Sequence, residues 1–314
     1  MTHVLLYWNH ICVLHRQEKE YLRRIAEALR GDGIELEVRC FGLGYGEHMS
    51  EYLARRDAVL PDVIVSADLE VFENPLIFTR FRDGLYPARD WSALRPSPVL
   101  TACTRDRSLI PFAAIPMVYF TRNPEGCKKP IPEIEDLAFG GINNSAAKSI
   151  VKSVWERYGK DAAERVLARG SVSDMPIGAY QQVRTGERET ALVPSLYALR
   201  ADGMATHLVT PQEGPVLVAS YICARRSIPE AAARRVLDAV MSRELCNFYV
   251  QNGDLILFPA CAEGHSAQEG GSCMIASAPW LSAVSPEEFY ALYRKYLPSA
   301  HDGAESTGCS RFAV

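Results

Sequence analysis

Apolar residues along this chain switch between two periods. Residues 4–8 form a short run of β-branched and aromatic side chains, the mark of a strand. From 17 to 30, Tyr21, Leu22, Ile25 and Leu29 recur at helical spacing until Gly31 ends the run. Residues 34–41 alternate apolar with polar, which predicts a second strand. A short helix over 47–56 and a buried strand ending at Val65 follow. This alternation predicts an α/β fold with a largely parallel sheet and helices on both faces.

Residues 74–98 are rich in Pro, Arg and aromatics and read as loops with short helices. A strand is expected over 117–121, after Pro116, and a connection over 123–132. A second α/β unit begins near Leu137. Residues 138–142 read as a strand with a glycine bend. Asn143, Asn144 and Ser145 then open a helix whose apolar face is Ala147, Ile150, Val151, Val154, Trp155 and Tyr158. Helices over 161–169 and 175–185 precede a strand over 190–194, a short helix over 195–201 and a strand over 207–210. A long β-rich stretch covers 216–224. Pro229 starts a strong helix, another is expected over 286–296, and the chain from Ser299 reads as loose.

Length and composition narrow the classes. The 314 residues suit two domains, and 48% of them are apolar. Against 38 acidic side chains stand 34 Lys and Arg, so the net charge is -4 and no basic footprint for nucleic acid exists. No run has the roughly 18 apolar residues of a membrane span. The first residues lead directly into a strand rather than a secretory leader. As it stands the sequence points to a cytoplasmic protein, or to a periplasmic or extracellular one from which a leader has been removed. The nine cysteines are odd in number and irregularly spaced, without a C-x-x-C pair, and read as reduced thiols.

Four passages, in this order, carry a resemblance. They are Pro61 to Asp68, Phe139 to Ala146, Val183 to Pro194, and Ala239 to Glu244. Together they resemble the type II periplasmic binding proteins, the solute-binding proteins of ABC transporters, and in particular their ferric-iron-binding branch. The resemblance implies two Rossmann-like lobes joined by two crossover strands, near 117–121 and 216–224. Residues 1–116 with 220–314 would form the first lobe and 117–219 the second, with a ligand cleft between them. It further implies a hinge that closes on a small ligand or metal ion, a transporter permease as partner, and neither catalysis nor a cofactor. Ferric binders place adjacent tyrosines in the loop after the strand ending here at Pro194. This chain has Ser195, Leu196 and the single Tyr197 there, short of the oxygen donors that ferric ion favours.

Ligands of open α/β sheets sit beyond the carboxyl ends of the strands. That rule selects Asn9, His10 and Cys12 after the first strand, and Ser66, Ala67 and Asp68 after the third. In the second lobe it selects Asn143, Asn144 and Ser145, then Ser195 and Tyr197. The Asn-Asn-Ser turn caps a helix whose first amides suit an oxyanion or carboxylate. The same residue types also cap helices that hold no ligand. His10 and Cys12 are metal-ligand types, to which His15 or His48 could add, and equally ordinary wall residues. Arg105 and Arg107 are candidate countercharges or surface ion pairs. His265, Cys261 and Cys273 match no zinc spacing.

Three function classes remain distinguishable. One is a binding protein for a metal ion or complex, an oxyanion or a small carboxylate. Another is a cytoplasmic enzyme on the same scaffold acting on a small carboxylate, with Cys12 as nucleophile and His10 as base. A regulator's effector domain would need a helix-turn-helix segment before the lobes, where this chain starts its sheet.

Overall fold

The computed structural model describes residues 1–42, 45–260 and 263–300. The first strand, β1 (Thr2–Asn9), is followed by α1 (His15–Gly31), which buries Leu22, Ile25 and Leu29 on one stripe. Next come β2 (Ile34–Phe41), α2 (Met49–Ala54) and β3 (Val63–Ser66). β1 pairs in parallel with both β2 and β3. Short helix α4 (Pro75–Phe78) lies in the irregular stretch, with α3 (Glu70–Glu73) before it and α5 (Pro98–Cys103) at its end.

The twelve-residue β4 (Ile110–Thr121) then enters the second α/β unit: β5 (Leu137–Gly140), α6 (Ser145–Tyr158), α7 (Lys160–Arg169), β6 (Ser171–Ser173), α8 (Pro176–Thr185) and β7 (Thr190–Pro194). After α9 (Ser195–Ala198) and β8 (His207–Val209), β9 (Val216–Ala224) returns to the first unit. Helices α10 (Glu230–Val240) and α11 (Arg243–Gly253), strand β10 (Ile256–Leu257), and helices α12 (Ala278–Ala283) and α13 (Pro286–Tyr296) complete it.

A single sheet runs through both units in the order β2-β1-β3-β9-β4-β7-β5-β6. Its outer thirds are parallel, and its centre, from β3 across to β7, is antiparallel. β4 joins the two units. Residues 110–117 pair with β9, and from Met117 onward the strand pairs with β7. Met117 faces both Val216 and Pro194. The sequence predicts this strand only after Pro116, because proline donates no ladder hydrogen bond. In the fold the strand tolerates Pro111 with a register shift between Pro111 and Ala113, and continues through Pro116.

Alternation along the strands sorts the core between the two faces. Leu6, Trp8, Val63, Val65 and Phe120 belong to one cluster; Tyr7, Ile64 and Tyr119 belong to the other. Residues 277–297, which the resemblance assigns to the first lobe, pack on α6 and α7. Trp155 of α6 meets Trp280 and Phe289, Glu156 accepts from Ser277, and the Tyr293 hydroxyl donates to the Ile142 carbonyl at 2.9 Å.

Candidate functional site

The carboxyl ends of β1, β3, β5 and β7 converge on one cavity of about 210 Å³. That is slightly below the roughly 300–1,000 Å³ typical of drug-sized ligands, so it suits a small one. Its floor is built by the two long central strands through Ile115, Met117 and Val218. Met175, Pro176, Pro194 and Leu196 close the side formed by the second unit. Asn9, His10, Tyr45, His48 and Asp68 face them from the first.

Two glycines make the β5–α6 turn possible. Gly141 adopts φ +94°, and a Cβ there would lie 2.1 Å from Asn144 Oδ1. A Cβ on Gly140 would lie 2.4 Å from the Met175 carbonyl oxygen. The turn therefore needs glycine both for its backbone angle and for its close approach. It delivers Asn144 as the cap of α6, its Oδ1 accepting from the Ala146 amide at 2.9 Å. Ser145 and Ala146 then line the cavity.

Across the cavity, Asp68 is held by its own helix end. Its carboxylate accepts from the Ser50 amide in the first turn of α2 at 2.9 Å, where the dipole stabilises negative charge. The same loop reaches the second unit: the Leu69 amide donates to Ser145 Oγ at 2.9 Å. Behind this contact lies a buried ion cluster. Glu70 and Glu73 of α3 meet Lys152 of α6 at 3.3 and 2.8 Å, Lys148 lies 3.7 Å from Glu70, and Arg105 lies 3.1 Å from Glu73. Burial alone would raise the Glu70 carboxyl, but Lys148 and Lys152 outweigh it and hold the group down at about 2.

His10 anchors a second polar chain. Its Nδ1 lies 2.7 Å from Glu18 Oε2, with both side chains fully buried. Glu18 also accepts from the Ile11 amide and the Tyr249 hydroxyl. Burial alone would lower the imidazole, but Cys40 and Glu18 outweigh it and raise it to about 9. Both partners thus favour the protonated form of His10, which stacks on Tyr45 with ring centroids 5.6 Å apart.

The structure brings together Asn9, His10, Ala67, Asp68, Asn144 and Ser145 around the cavity. Other expected residues lie elsewhere. Ser66 is buried, its Oγ accepting from the Asp68 amide as a turn brace. Asn143 does not line the cavity, and its side-chain amide lies 3.5 Å from the Ser299 carbonyl oxygen. Ser195 donates to the Gly253 carbonyl at 2.7 Å, and Tyr197 stacks on Tyr180 inside the core. Since α9 begins at Ser195, Leu196 rather than its neighbours turns to the cavity. Cys12 starts a short 3-10 turn, and its side chain lies outside the described residues, as does Cys261. Arg105 is spent on Glu73 and Tyr221, Arg107 on Asp90, and His265 on Arg95 and Glu269. Among the described residues, no group of three His, Cys, Asp or Glu side chains could hold a metal ion.

No family model and no curated protein matches the sequence. Solved structures do match its fold. Iron-bound HitA from Pseudomonas aeruginosa is 16% identical over 94% of this chain and 99% of its own, with a TM-score of 0.59. The chain has the fold of the type II periplasmic binding proteins. A periplasmic thiamin binding protein shares this fold at 13% identity, covering 94% of this chain and 96% of that one, with a TM-score of 0.62. The substrate binding protein of an ABC transporter from Agrobacterium tumefaciens does so at 12% identity, over 96% and 94%, with a TM-score of 0.57. In this binding-protein fold, the cavity described above lies between the two α/β units. Among the described residues, no helix is long and apolar enough to cross a membrane.

Proposed function

We propose that this chain is a solute-binding protein of the ABC-transporter type that clamps a small organic ligand between two lobes and passes it to a permease. The lobes would be residues 1–116 with 220–276, and 117–219 with α12 and α13 packed upon it. The observation that carries this reading is the position of the cavity: strand ends of both units meet there, and Leu69 bonds to Ser145 across it. The cavity supports a compact ligand with an anionic or hydrogen-bonding head at the first amides of α6 and an apolar remainder on Ile115, Met117 and Val218. A small carboxylate fits this better than bare ferric ion, because Tyr197 faces the core. Periplasmic binding proteins among the structures that share this fold favour a periplasmic setting.

Native mass spectrometry for carried cargo, followed by melting against small carboxylates, oxyanions, thiamin and metal ions, tests the proposal. A ligand at a hundredfold its Kd stabilises by about 2.7 kcal/mol. A full panel without a shift in melting temperature would count against it.

A second reading rests on the His10–Glu18–Tyr249 chain, which orients an imidazole as catalytic histidines are oriented. Its raised proton affinity suits a general acid rather than the base that the Cys12 mechanism needs. Turnover of a small carboxylate that disappears in both Cys12→Ser and Cys12→Ala would favour this reading.

A further inference from the structure

Outside the cavity, one groove concentrates cations. Arg122 at the end of β4, Arg184 in the last turn of α8 and Arg200 beyond α9 line a depression of about 420 Å³, a size suited to a small molecule. All three are exposed. Among the described residues other arginines pair with carboxylates, as Arg188 does with Asp136 and Arg235 with Asp32. No such pair involves Arg122, Arg184 or Arg200 among the described residues.

Two buried tyrosines, Tyr180 at the groove wall and Tyr197 behind it, back the cations. Tyr180 and Tyr197 stack with centroids 5.8 Å apart. The Arg184 guanidinium lies 5.8 Å from the Tyr180 ring. That of Arg200 lies 6.0 Å from Tyr180 and 5.6 Å from Tyr197. Cation–π contact restrains the Arg184 and Arg200 guanidinium groups before any ligand arrives. The acid in the groove, Asp202, is occupied by its own turn: Oδ1 accepts from the amides of Met204, Ala205 and Thr206, each at 2.9 Å. The C-terminal dipole of α8 accounts for a cation at Arg184 but not for the other two.

We infer that this groove is a second ligand site, specific for a small polyanion of the phosphate-ester or pyrophosphate class. Guanidinium groups recognise such oxygens by paired N–H donors, and two held over tyrosine rings beside a third, Arg122, on a chain of net charge -4 mark a local preference for multiple negative charge. Inorganic pyrophosphate is the probe. Titration calorimetry at about 50 mM salt is expected to give one site per chain, weakening steeply with added salt. R184Q/R200Q should bind at least tenfold more weakly while melting as the unaltered protein does. Ala146→Trp, which fills the cavity between the units, should leave pyrophosphate binding unchanged. Equal binding by R184Q/R200Q, loss of binding in Ala146→Trp, or no one-to-one binding at all would overturn the inference. Binding of polyglutamate but not pyrophosphate, abolished by R184Q/R200Q, would overturn it in favour of an acidic protein partner.

Discussion

Replacing Lys152 by Met removes one cation from the cluster that joins α3 to α6 and leaves Glu70 and Glu73 short of a partner. In the intact protein, burial opposes the charge on Lys152, but Glu73 and Glu70 outweigh it and keep the ammonium protonated. Glu70 shows the reverse, drawn down from 4.5 to about 2 despite complete burial. A depression of that size corresponds to about 3 kcal/mol of linked stability. The sign follows from its direction. The contribution is fully present above pH 4.5 and is lost as pH falls through about 2. Breaking a buried pair on one side costs roughly 3–5 kcal/mol. Denaturant unfolding of Lys152→Met at pH 7 should show a loss in that range. Near pH 3 the gap from the unaltered protein should narrow, because Glu70 in the variant takes up a proton and no longer needs its partner. A loss below about 1 kcal/mol at pH 7, or one that does not change between pH 7 and pH 3, would refute the argument that this cluster is a charged, mutually dependent unit.

Gly141→Ala should destabilise the protein by about 1–3 kcal/mol and weaken ligand binding as well, read by denaturant unfolding and by the ligand-induced melting shift, because it strains the turn that presents Asn144. The His10 ring should titrate near 9 by NMR and return toward 6.5 in Glu18→Gln. The stability it contributes should be whole below pH 6.5 and disappear as pH rises through about 9. Tyr197→Phe should leave the affinity of the cavity ligand unchanged in calorimetry, since this ring packs against Tyr180 in the core.

The elements with a clean period were readable from the chain. The stripe of α1, the alternation of β2 and the glycine bend before α6 each state their structure locally, and the strand-end rule then locates the cavity. What escaped depends on tertiary context. Ile115, Met117, Met175 and Val218 are chemically indistinguishable from core residues, and only the divergence of the two units leaves a space beside them. Lys148 and Lys152 sit off the apolar stripe of α6, so the helical period does not mark them as buried. In the fold α3 and α13 cover that face, so both lysines become buried and must find carboxylates. Loop position alone points to Ser195 and Tyr197, whereas with the helical turn of α9 it is Leu196 that lines the cavity. The first half of β4 was hidden by its own prolines.

That proline-bearing strand has a consequence for how the molecule can be divided. Because β4 hands its partners over in mid-course from β9 to β7, both α/β units own part of the same ribbon. Neither half expressed alone would be a finished object: each would be left with a raw β margin and half a core. Cuts in exposed loops would therefore leave the fragments associated, and the two pieces should come apart only when the whole unfolds.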